Sequence, residues 1–365
     1  MGRRRSIFLY PLSLLYGLIT GFRNFLYNAG ILKSHEFPVP VIGVGNLTVG
    51  GTGKTPLTEY LVNLLRKDLN VAVLSRGYKR KTRGFLFACE ASRTEDIGDE
   101  PMQISRKFPG ITVAVDRRRV HGVREIRKER PDTGVIILDD AFQHRSITPG
   151  YSILLSDFER LMIRDQMLPY GNLRESIGNM RRADIILITK SPETVSPIQR
   201  RLIVKEIQKA PYQNLYFTST TYEKPLPVFN NIEAEDDILI RSKEAGDPGI
   251  ILVTGIANPG PLSEYLQKMA GEIISLSFGD HHRFNNNDIE KILKAWKSLK
   301  SSRKYLITTE KDAVRLREFT NIAEPVRAAF YYIPVGIHFL NDDQKEFDNL
   351  IIEYVRKNKR NNRVS

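Results

Sequence analysis

The stretch that decides the fold of this chain reads Val39-Pro-Val-Ile-Gly-Val-Gly-Asn-Leu-Thr-Val-Gly-Gly-Thr-Gly-Lys-Thr-Pro56. It begins with an apolar, β-branched run, Val39–Val44, and leads into a helical pattern, Pro56–Leu65. Between the two, glycines let backbone N–H groups turn towards phosphate oxygens, and the helix N-terminus adds a favourable dipole. The stretch therefore predicts a phosphate-binding P-loop, although Thr48 stands where such loops usually begin with glycine.

The residues after the last glycine of this loop predict its ligands. The Lys54 amine is expected to contact the β- and γ-phosphates of ATP, and the Thr55 hydroxyl is expected to hold Mg²⁺. A glycine-rich turn that binds nothing is the alternative, and the strand before the loop and the helix after it argue against that. The predicted nucleotide-binding residues are Thr48, Val49, Gly50, Gly51, Thr52, Gly53, Lys54 and Thr55.

A second apolar run ends in a pair of carboxylates, Val135-Ile-Ile-Leu-Asp-Asp140. Open α/β sheets bind ligands at the carboxyl ends of their strands, and Mg²⁺ prefers carboxylate and phosphate oxygens. Asp139 or Asp140 is therefore expected to bind Mg²⁺, directly or through water, and the sequence does not distinguish the two. A solvated acidic pair at a strand end is the alternative.

Short β-rich runs alternate with helical segments from residue 39 onwards, in two sets. The pattern predicts an α/β fold, with a P-loop NTPase-type lobe built on a mostly parallel sheet and a smaller α/β lobe. Asn214–Tyr222 and Arg327–Phe339 are predicted to form a β-ribbon that joins the lobes. The predicted divisions are an N-terminal helix over 1–33, the P-loop lobe over 34–213, the ribbon and second lobe over 214–340, and a C-terminal helix with a basic tail over 341–365.

Composition and charge restrict the possible partners. The chain has 365 residues, a net charge of +13 and one cysteine, which excludes an internal disulfide and a thiolate metal cluster. The positive charge indicates an anionic partner, which could be a nucleic acid, a nucleotide or a membrane.

The N-terminus combines Arg3, Arg4 and Arg5 with an uncharged run from Ser6 to Phe22. At helical spacing, its large apolar residues fall on one arc and its small polar residues on the opposite arc. This layout predicts an amphipathic helix in a membrane interface, with the arginines facing anionic lipid headgroups. A helix packed on the protein's own core is the alternative.

Several enzyme classes carry P-loops, and the sequence separates some of them. A GTPase would need an Asn/Thr-Lys-x-Asp motif to read its base, but Thr189-Lys190 is followed by Ser191-Pro192. A kinase needs a carboxylate near the acceptor hydroxyl, and Gly98-Asp-Glu-Pro101 offers Asp99 and Glu100. A small-molecule or lipid kinase is therefore favoured, and a nucleic-acid-stimulated P-loop ATPase is the alternative.

Seven motifs in order along the chain resemble those of the tetraacyldisaccharide 4'-kinase family of lipid A biosynthesis. Each motif alone is weak, and their order over most of the chain is specific. They are Val44-Gly-Asn-Leu-Thr-Val-Gly-Gly-Thr-Gly-Lys-Thr-Pro56, Leu74-Ser-Arg-Gly-Tyr78, Gly98-Asp-Glu-Pro101, Leu138-Asp-Asp-Ala-Phe-Gln-His144, Gly171-Asn-Leu-Arg-Glu175, Phe278-Gly-Asp-His-His282 and Thr309-Glu-Lys-Asp312.

The resemblance implies ATP-dependent phosphorylation of the 4'-hydroxyl of a tetraacylated glucosamine disaccharide 1-phosphate, giving lipid IVA. It implies a peripheral or monotopic enzyme on the cytoplasmic face of the bacterial inner membrane, with no nucleic-acid partner. It also implies that Asp99 is the catalytic base and His281 its partner, and that Glu100 joins the magnesium ligands. Weaker candidates for the disaccharide and its 1-phosphate are Arg76, Arg117, Arg118, Arg119, Asn172 and Arg174. The oligomeric state stays open.

Overall fold

The computed structural model describes residues 7–229, 247–319 and 321–361, so Arg3–Arg5 and most of the polar segment before β10 lie outside the described residues. The chain forms two compact units, Met1–Thr221 with Gly336–Ser365, and Tyr222–Val335. The strands are β1 (Val41–Asn46), β2 (Val71–Ser75), β3 (Leu86–Phe87), β4 (Thr112–Val115), β5 (Val135–Leu138), β6 (Tyr151–Asp157), β7 (Ile185–Thr189), β8 (Asn214–Tyr222), β9 (Leu226–Pro227), β10 (Gly249–Thr254), β11 (Glu272–Ser277), β12 (Lys304–Thr309), β13 (Phe330–Ile333) and β14 (Val335–Phe339).

The helices cover these strands. They are α1 (Tyr10–Asn28), α2 (Lys54–Leu65), α3 (Thr94–Ile97), α4 (Asp99–Lys107), α5 (Arg119–Glu129), α6 (Pro197–Ile207), α7 (Gly260–Gln267), α8 (Asn286–Ser298), α9 (Glu310–Leu316), α10 (Glu324–Ala328) and α11 (Gln344–Asn361), with short 3₁₀ turns at Ile7–Leu9, Met162–Arg164, Ile177–Arg182 and Leu340–Asp342.

The first unit is built on one sheet with the strand order β14-β8-β7-β6-β1-β5-β2-β4-β3. Its central pairs, β1 with β5 and with β6, are parallel, and β3 pairs antiparallel with β4. Alternate residues of β5 pack into different cores: Ile137 lies in one cluster, and Ile136 lies in another. Because successive side chains of a strand point to opposite faces, the sheet is buried on both faces. This confirms the predicted α/β fold.

The carboxyl ends of β1, β2, β5 and β7 meet at one edge of this sheet, because these strands run parallel. The P-loop follows β1, the Asp139–Asp140 pair follows β5, and the Thr189–Lys190 dipeptide closes β7. The fold therefore brings these three segments of the first unit together at a single edge, where open α/β sheets bind ligands.

The second unit contains a five-stranded sheet in the order β11-β10-β12-β13-β9. The pairs of β10 with β11 and with β12 are parallel, and β9 joins β13 antiparallel. Ile289 and Ile292 of α8 are buried in its core, together with Ile251 and Val253 of β10. It is a smaller α/β unit, as the sequence predicts.

Two predicted divisions differ from the structure. The stretch Arg327–Phe339 is not one strand, because Pro334 separates β13, which pairs with β12, from β14, which lies beside β8. Proline has no N–H for a strand ladder, so the chain changes sheets there. The C-terminal helix α11 belongs to the first unit: Phe347 and Ile351 pack in the same core as β1, and the Tyr354 hydroxyl lies 3.0 Å from the Val41 nitrogen.

Helix α1 has the opposite burial pattern to an ordinary surface helix, because its polar residues face the protein and its apolar residues face outwards. Its polar residues Ser13 and Asn24 are buried, whereas Leu18 and Phe22 are 71% and 64% exposed. The helix therefore packs on the protein through its polar residues, and its apolar face points away from the protein. Within the described residues, no helix is both long and apolar enough to cross a bilayer.

Candidate active site

Hydrogen bonds within the P-loop and to neighbouring segments fix the conformation of the loop. Gly50 and Gly53 have φ angles of 104° and 86°, in the left-handed region that favours glycine. Thr52 is buried, and its hydroxyl accepts a hydrogen bond of 2.9 Å from the Asn46 side chain. The Val49 N–H donates to the Asn172 carbonyl at 2.9 Å. The loop therefore has a defined shape before any ligand binds.

Lys54 and Asp140 bring the loop and the end of β5 together. The Lys54 amine lies 3.5 Å from a carboxylate oxygen of Asp140 and 3.5 Å from the side-chain oxygen of Asn46. Arg174 approaches both carboxylate oxygens of Asp140 at 3.3 Å. Burial alone would raise the pKa of Asp140, but these two cations lower it to about 2. The carboxylate is therefore ionised at neutral pH.

Asp139, its neighbour, has the opposite character. Oδ2 accepts a hydrogen bond of 3.1 Å from the Ser75 hydroxyl, whereas Oδ1 is buried and has no hydrogen-bond partner among the described residues. Burial and the Asp140 charge raise the pKa of Asp139 to about 6. A buried carboxylate oxygen without a partner is costly, and a divalent cation would supply the missing countercharge. The residues present therefore fit Mg²⁺, with Thr55, at the second position of α2, as a hydroxyl donor.

Asp99 and Glu100 begin helix α4. Asp99 is 9% exposed, and the negative charge of Glu100 is close enough to contribute to the raised pKa of Asp139. Gly98 before them has a φ of 94°, and a Cβ there would lie 3.1 Å from the Tyr78 carbonyl oxygen. Only glycine fits this approach, which holds the turn after β2 against the start of α4. Both predicted carboxylates are thus part of the first unit's ligand edge.

The predicted arginines divide into two kinds. Arg76, Arg117 and Arg118 are exposed in loops after β2 and β4, and are accessible to a ligand. Arg119 differs from the expectation, because it is fully buried and donates to the carbonyls of Asp116 at 2.8 Å and Asp139 at 2.6 Å. It positions the backbone before Asp140 instead of reaching a ligand.

The segment 165–175 links α1 to the P-loop. The Asn172 side chain donates to Asp165 at 2.8 Å, and its carbonyl holds the P-loop as described. The Arg174 N–H donates to Leu47 at 2.7 Å, and its carbonyl accepts a bond of 3.0 Å from the Tyr16 hydroxyl of α1. Asn172 and Arg174 therefore shape the site, and the Arg174 guanidinium also reaches into it.

His281 lies in the second unit, in the loop after β11. Its φ is 58°, and its N–H donates to the Gly255 carbonyl at 3.1 Å. The ring nitrogens lie 3.2 Å from the Lys311 amine and 3.4 Å from a guanidinium nitrogen of Arg315. The Thr309–Asp312 motif supports this loop, because the buried Asp312 carboxylate accepts the Gly255 N–H at 2.8 Å.

Sequence reasoning assigned no role to Asn46, Ser75 and Lys190, which contact the site directly. Asn46 holds Thr52 and Lys54, and Ser75 holds Asp139. In the sequence, Asn46 and Ser75 are recognisable only as polar residues at the ends of otherwise apolar strands. This pattern does not indicate a contact unless the neighbouring strand is known.

Comparisons with known proteins agree with this geometry. The family described as tetraacyldisaccharide-1-P 4'-kinase matches residues 5–356. The tetraacyldisaccharide 4'-kinases of Bacteroides thetaiotaomicron and Phocaeicola vulgatus are each 46% identical to this chain over 98% of its length, covering 95% and 97% of the relatives. A crystal structure of an "apo" form of LpxK from Aquifex aeolicus in complex with ATP is similar with a TM-score of 0.72 and 30% identity, over 95% of this chain and 98% of that one.

Proposed function

Because the chain belongs to the tetraacyldisaccharide-1-P 4'-kinase family, we propose that it transfers the γ-phosphoryl group of ATP to the 4'-hydroxyl of a tetraacylated disaccharide 1-phosphate, forming lipid IVA. The observation that carries this function is the P-loop whose Lys54 faces Asp140 at the edge where Asp139 has an unpartnered buried oxygen. This is the arrangement that ATP and Mg²⁺ need.

The nucleotide is bound by residues 48–55. Their N–H groups and the N-terminus of α2 bind phosphate oxygens, and Lys54 neutralises charge on the transferring group. Lys54 is held at Asp140 in the structure, and it exchanges this partner for the phosphates when ATP binds. Thr55, Asp139, Asp140 and Glu100 would hold Mg²⁺, which would supply additional neutralisation of phosphate charge.

Asp99 accepts the proton of the 4'-hydroxyl. It is a largely buried carboxylate at the same sheet edge as Lys54, and its position in the Gly98–Pro101 motif supports the assignment. His281 is the proposed partner of this base, and its support is the position in the Phe278–His282 motif. Arg76, Arg117 and Arg118 are proposed to contact the phosphorylated disaccharide, because their guanidinium groups are exposed and match phosphate geometry.

Helix α1 is proposed to lie in the interface of the inner membrane on the cytoplasmic side, where ATP is present. The supporting observation is its exposed apolar face, which carries Leu18 and Phe22, opposite the buried Ser13 and Asn24. A surface of this kind is stabilised by acyl chains and destabilised by water. The acylated substrate lies in the same bilayer, so the helix would place the enzyme where its substrate is.

Incubation with labelled ATP and the acylated disaccharide 1-phosphate, followed by chromatography of the lipid, tests this function. Labelled lipid is expected from the intact enzyme and is expected to be nearly absent with Asp99→Ala. Glu129→Ala, a change in an exposed carboxylate at the end of α5 and outside the proposed site, is the matched control. A nucleic-acid-stimulated ATPase would instead leave the lipid unlabelled and hydrolyse ATP faster when DNA or RNA is added.

A further inference from the structure

A buried carboxylate joins helix α2, which follows the P-loop, to helix α4, which begins at Asp99. Glu59 of α2 is 4% exposed, and each of its carboxylate oxygens accepts a hydrogen bond from α4. The Gln103 amide donates to Oε1 at 2.7 Å, and the Lys107 amine donates to Oε2 at 2.7 Å. Gln103 and Lys107 lie one helical turn apart. The carboxylate therefore holds two successive turns of α4 at one height along α2.

The two helices run in the same direction, away from the ligand edge of the sheet. α2 leads to β2 and α4 leads to β4, and these two strands are parallel. The far ends of the helices also meet, because the Arg66 guanidinium, just after α2, lies 4.9 Å from the centre of the Phe108 ring, just after α4. A shift of one helix along the other would therefore move their first residues relative to each other.

The Glu59 contact determines the relative height of Thr55 and Asp99. Thr55 precedes Glu59 by one turn, and Asp99 precedes Gln103 by one turn, so each lies on the same face of its helix as the contact. Both residues are therefore about 6 Å closer to the ligand edge than the contact is. This places the base proposed for the reaction beside a residue proposed for Mg²⁺.

Apolar packing between the helices does not fix this height as sharply. Leu57 of α2 and Ile104 of α4 lie in the same core. Hydrophobic contacts are not directional, whereas hydrogen bonds weaken steeply when their geometry changes. The two hydrogen bonds of the Glu59 carboxylate therefore set the register that the apolar contacts leave adjustable.

We propose that Glu59 is a positioning residue that holds the Asp99 carboxylate at the height of Thr55. It acts through Gln103 and Lys107, which lie on the same face of α4 as Asp99. The inference rests on the proposed function, in which Asp99 is the base, and adds how the base is placed. A base must lie within hydrogen-bond reach of its proton, and a displacement of about 1 Å can slow a reaction by about 10²-fold. Other hydrogen bonds fix the P-loop, so the Glu59 contact controls phosphoryl transfer and not ATP binding.

The test measures single-turnover lipid phosphorylation by full-length Glu59→Gln protein, with and without the additional change Asp99→Ala. Glu59→Gln keeps the side-chain volume and removes the charge that pairs with Lys107. With Asp99 present, the rate constant of phosphoryl transfer should fall about tenfold or more. With Asp99→Ala, the same change should lower the residual rate less than about twofold, because no base is left to displace. The dissociation constant of ATP, from calorimetry, should change less than about twofold in both cases.

Tyr60→Phe is the matched control. Tyr60 is the next residue of α2, and its hydroxyl donates a hydrogen bond of 2.6 Å to Asp348 of α11. The change removes a bond from the same helix without altering its contact with α4, so the transfer rate should stay the same. Lys107→Met is a milder variant, because the Lys107 side chain is 22% exposed and the Gln103 bond remains. It should lower the transfer rate about threefold, again only when Asp99 is present.

Three results would overturn this role. An unchanged transfer rate in Glu59→Gln would show that the contact does not matter for the reaction. An equal loss with and without Asp99 would make Glu59 only a support of helix packing. A loss of ATP affinity as large as the loss of rate would place the effect in the P-loop. Failure of the proposed function has a different signature, because Asp99→Ala alone would then transfer phosphate at the normal rate, or the unmodified protein would leave the lipid unlabelled.

Discussion

Glu175 joins helix α1 to the body of the protein, and replacing it should lower the free energy of unfolding substantially. Its carboxylate is 1% exposed and lies 2.6 Å from a guanidinium nitrogen of Arg182 and 2.8 Å from one of Arg23. The Asn24 amide donates to it at 3.3 Å. Glu175→Gln keeps the volume but leaves Arg182, which is mostly buried, without a counter-charge.

The expected loss follows from this burial. Removing one partner of a buried ion pair costs about 3–5 kcal/mol, and the amide can still accept one hydrogen bond, so we expect the lower end, about 3 kcal/mol. The chain provides a matched control in Glu206, which forms a bidentate pair with Arg164 at 2.7 and 2.8 Å but is 41% exposed. Glu206→Gln should cost about 0–1 kcal/mol. Both carboxylates contact guanidinium nitrogens at 2.6–2.8 Å, and they differ mainly in solvent exposure.

Urea unfolding of both variants measures this difference. Trp296 is the only tryptophan of the chain and lies in the second unit, so its fluorescence follows that unit alone. Far-UV circular dichroism follows both units. Glu175→Gln should shift the midpoint of the dichroism transition of the first unit by about 1 M urea and leave the Trp296 transition unchanged. Equal shifts for Glu175→Gln and Glu206→Gln would refute the reasoning, because burial would then not control the value of the pair.

Three other outcomes are expected. Lys54→Ala should lower kcat by about 10²-fold or more while the unfolding midpoint changes little, as measured by single-turnover lipid phosphorylation beside dichroism. Leu18→Asp should weaken binding to anionic vesicles roughly tenfold or more in a sedimentation assay, whereas Ile198→Asp, equally exposed but on α6, should not. Burial and nearby arginines lower the pKa of His144 to about 4, so the unfolded chain binds a proton below about pH 6.5 that the folded chain does not. His144 should therefore reduce the unfolding free energy by about 2–3 kcal/mol from pH 7 to pH 4.5, a slope that His144→Gln removes in urea titrations.

Local patterns in the sequence were sufficient for the elements that depend on local physics. The strand Val135–Leu138 and the helix after Lys54 follow from apolar runs and glycine placement, and Asn214–Tyr222 agrees with β8 at both ends. Arg327–Phe339 was wrong as one strand, since Phe330–Ile333 and Val335–Phe339 belong to different sheets. Which strand a segment pairs with depends on distant residues, and no local pattern contains that information.

The sequence by itself determined the α/β class, the P-loop and the acidic pair after β5, because each is a short run whose chemistry requires those residue types together. Tertiary structure decided which of these side chains are buried, which are exposed and which are ionised. Arg119 and Arg117 are near neighbours in the chain, yet one is fully buried under Asp139 and the other is exposed. Asp139 and Asp140 have pKa values of about 6 and 2 for the same reason, since burial and the positions of Lys54 and Arg174 are set by residues far apart in the chain.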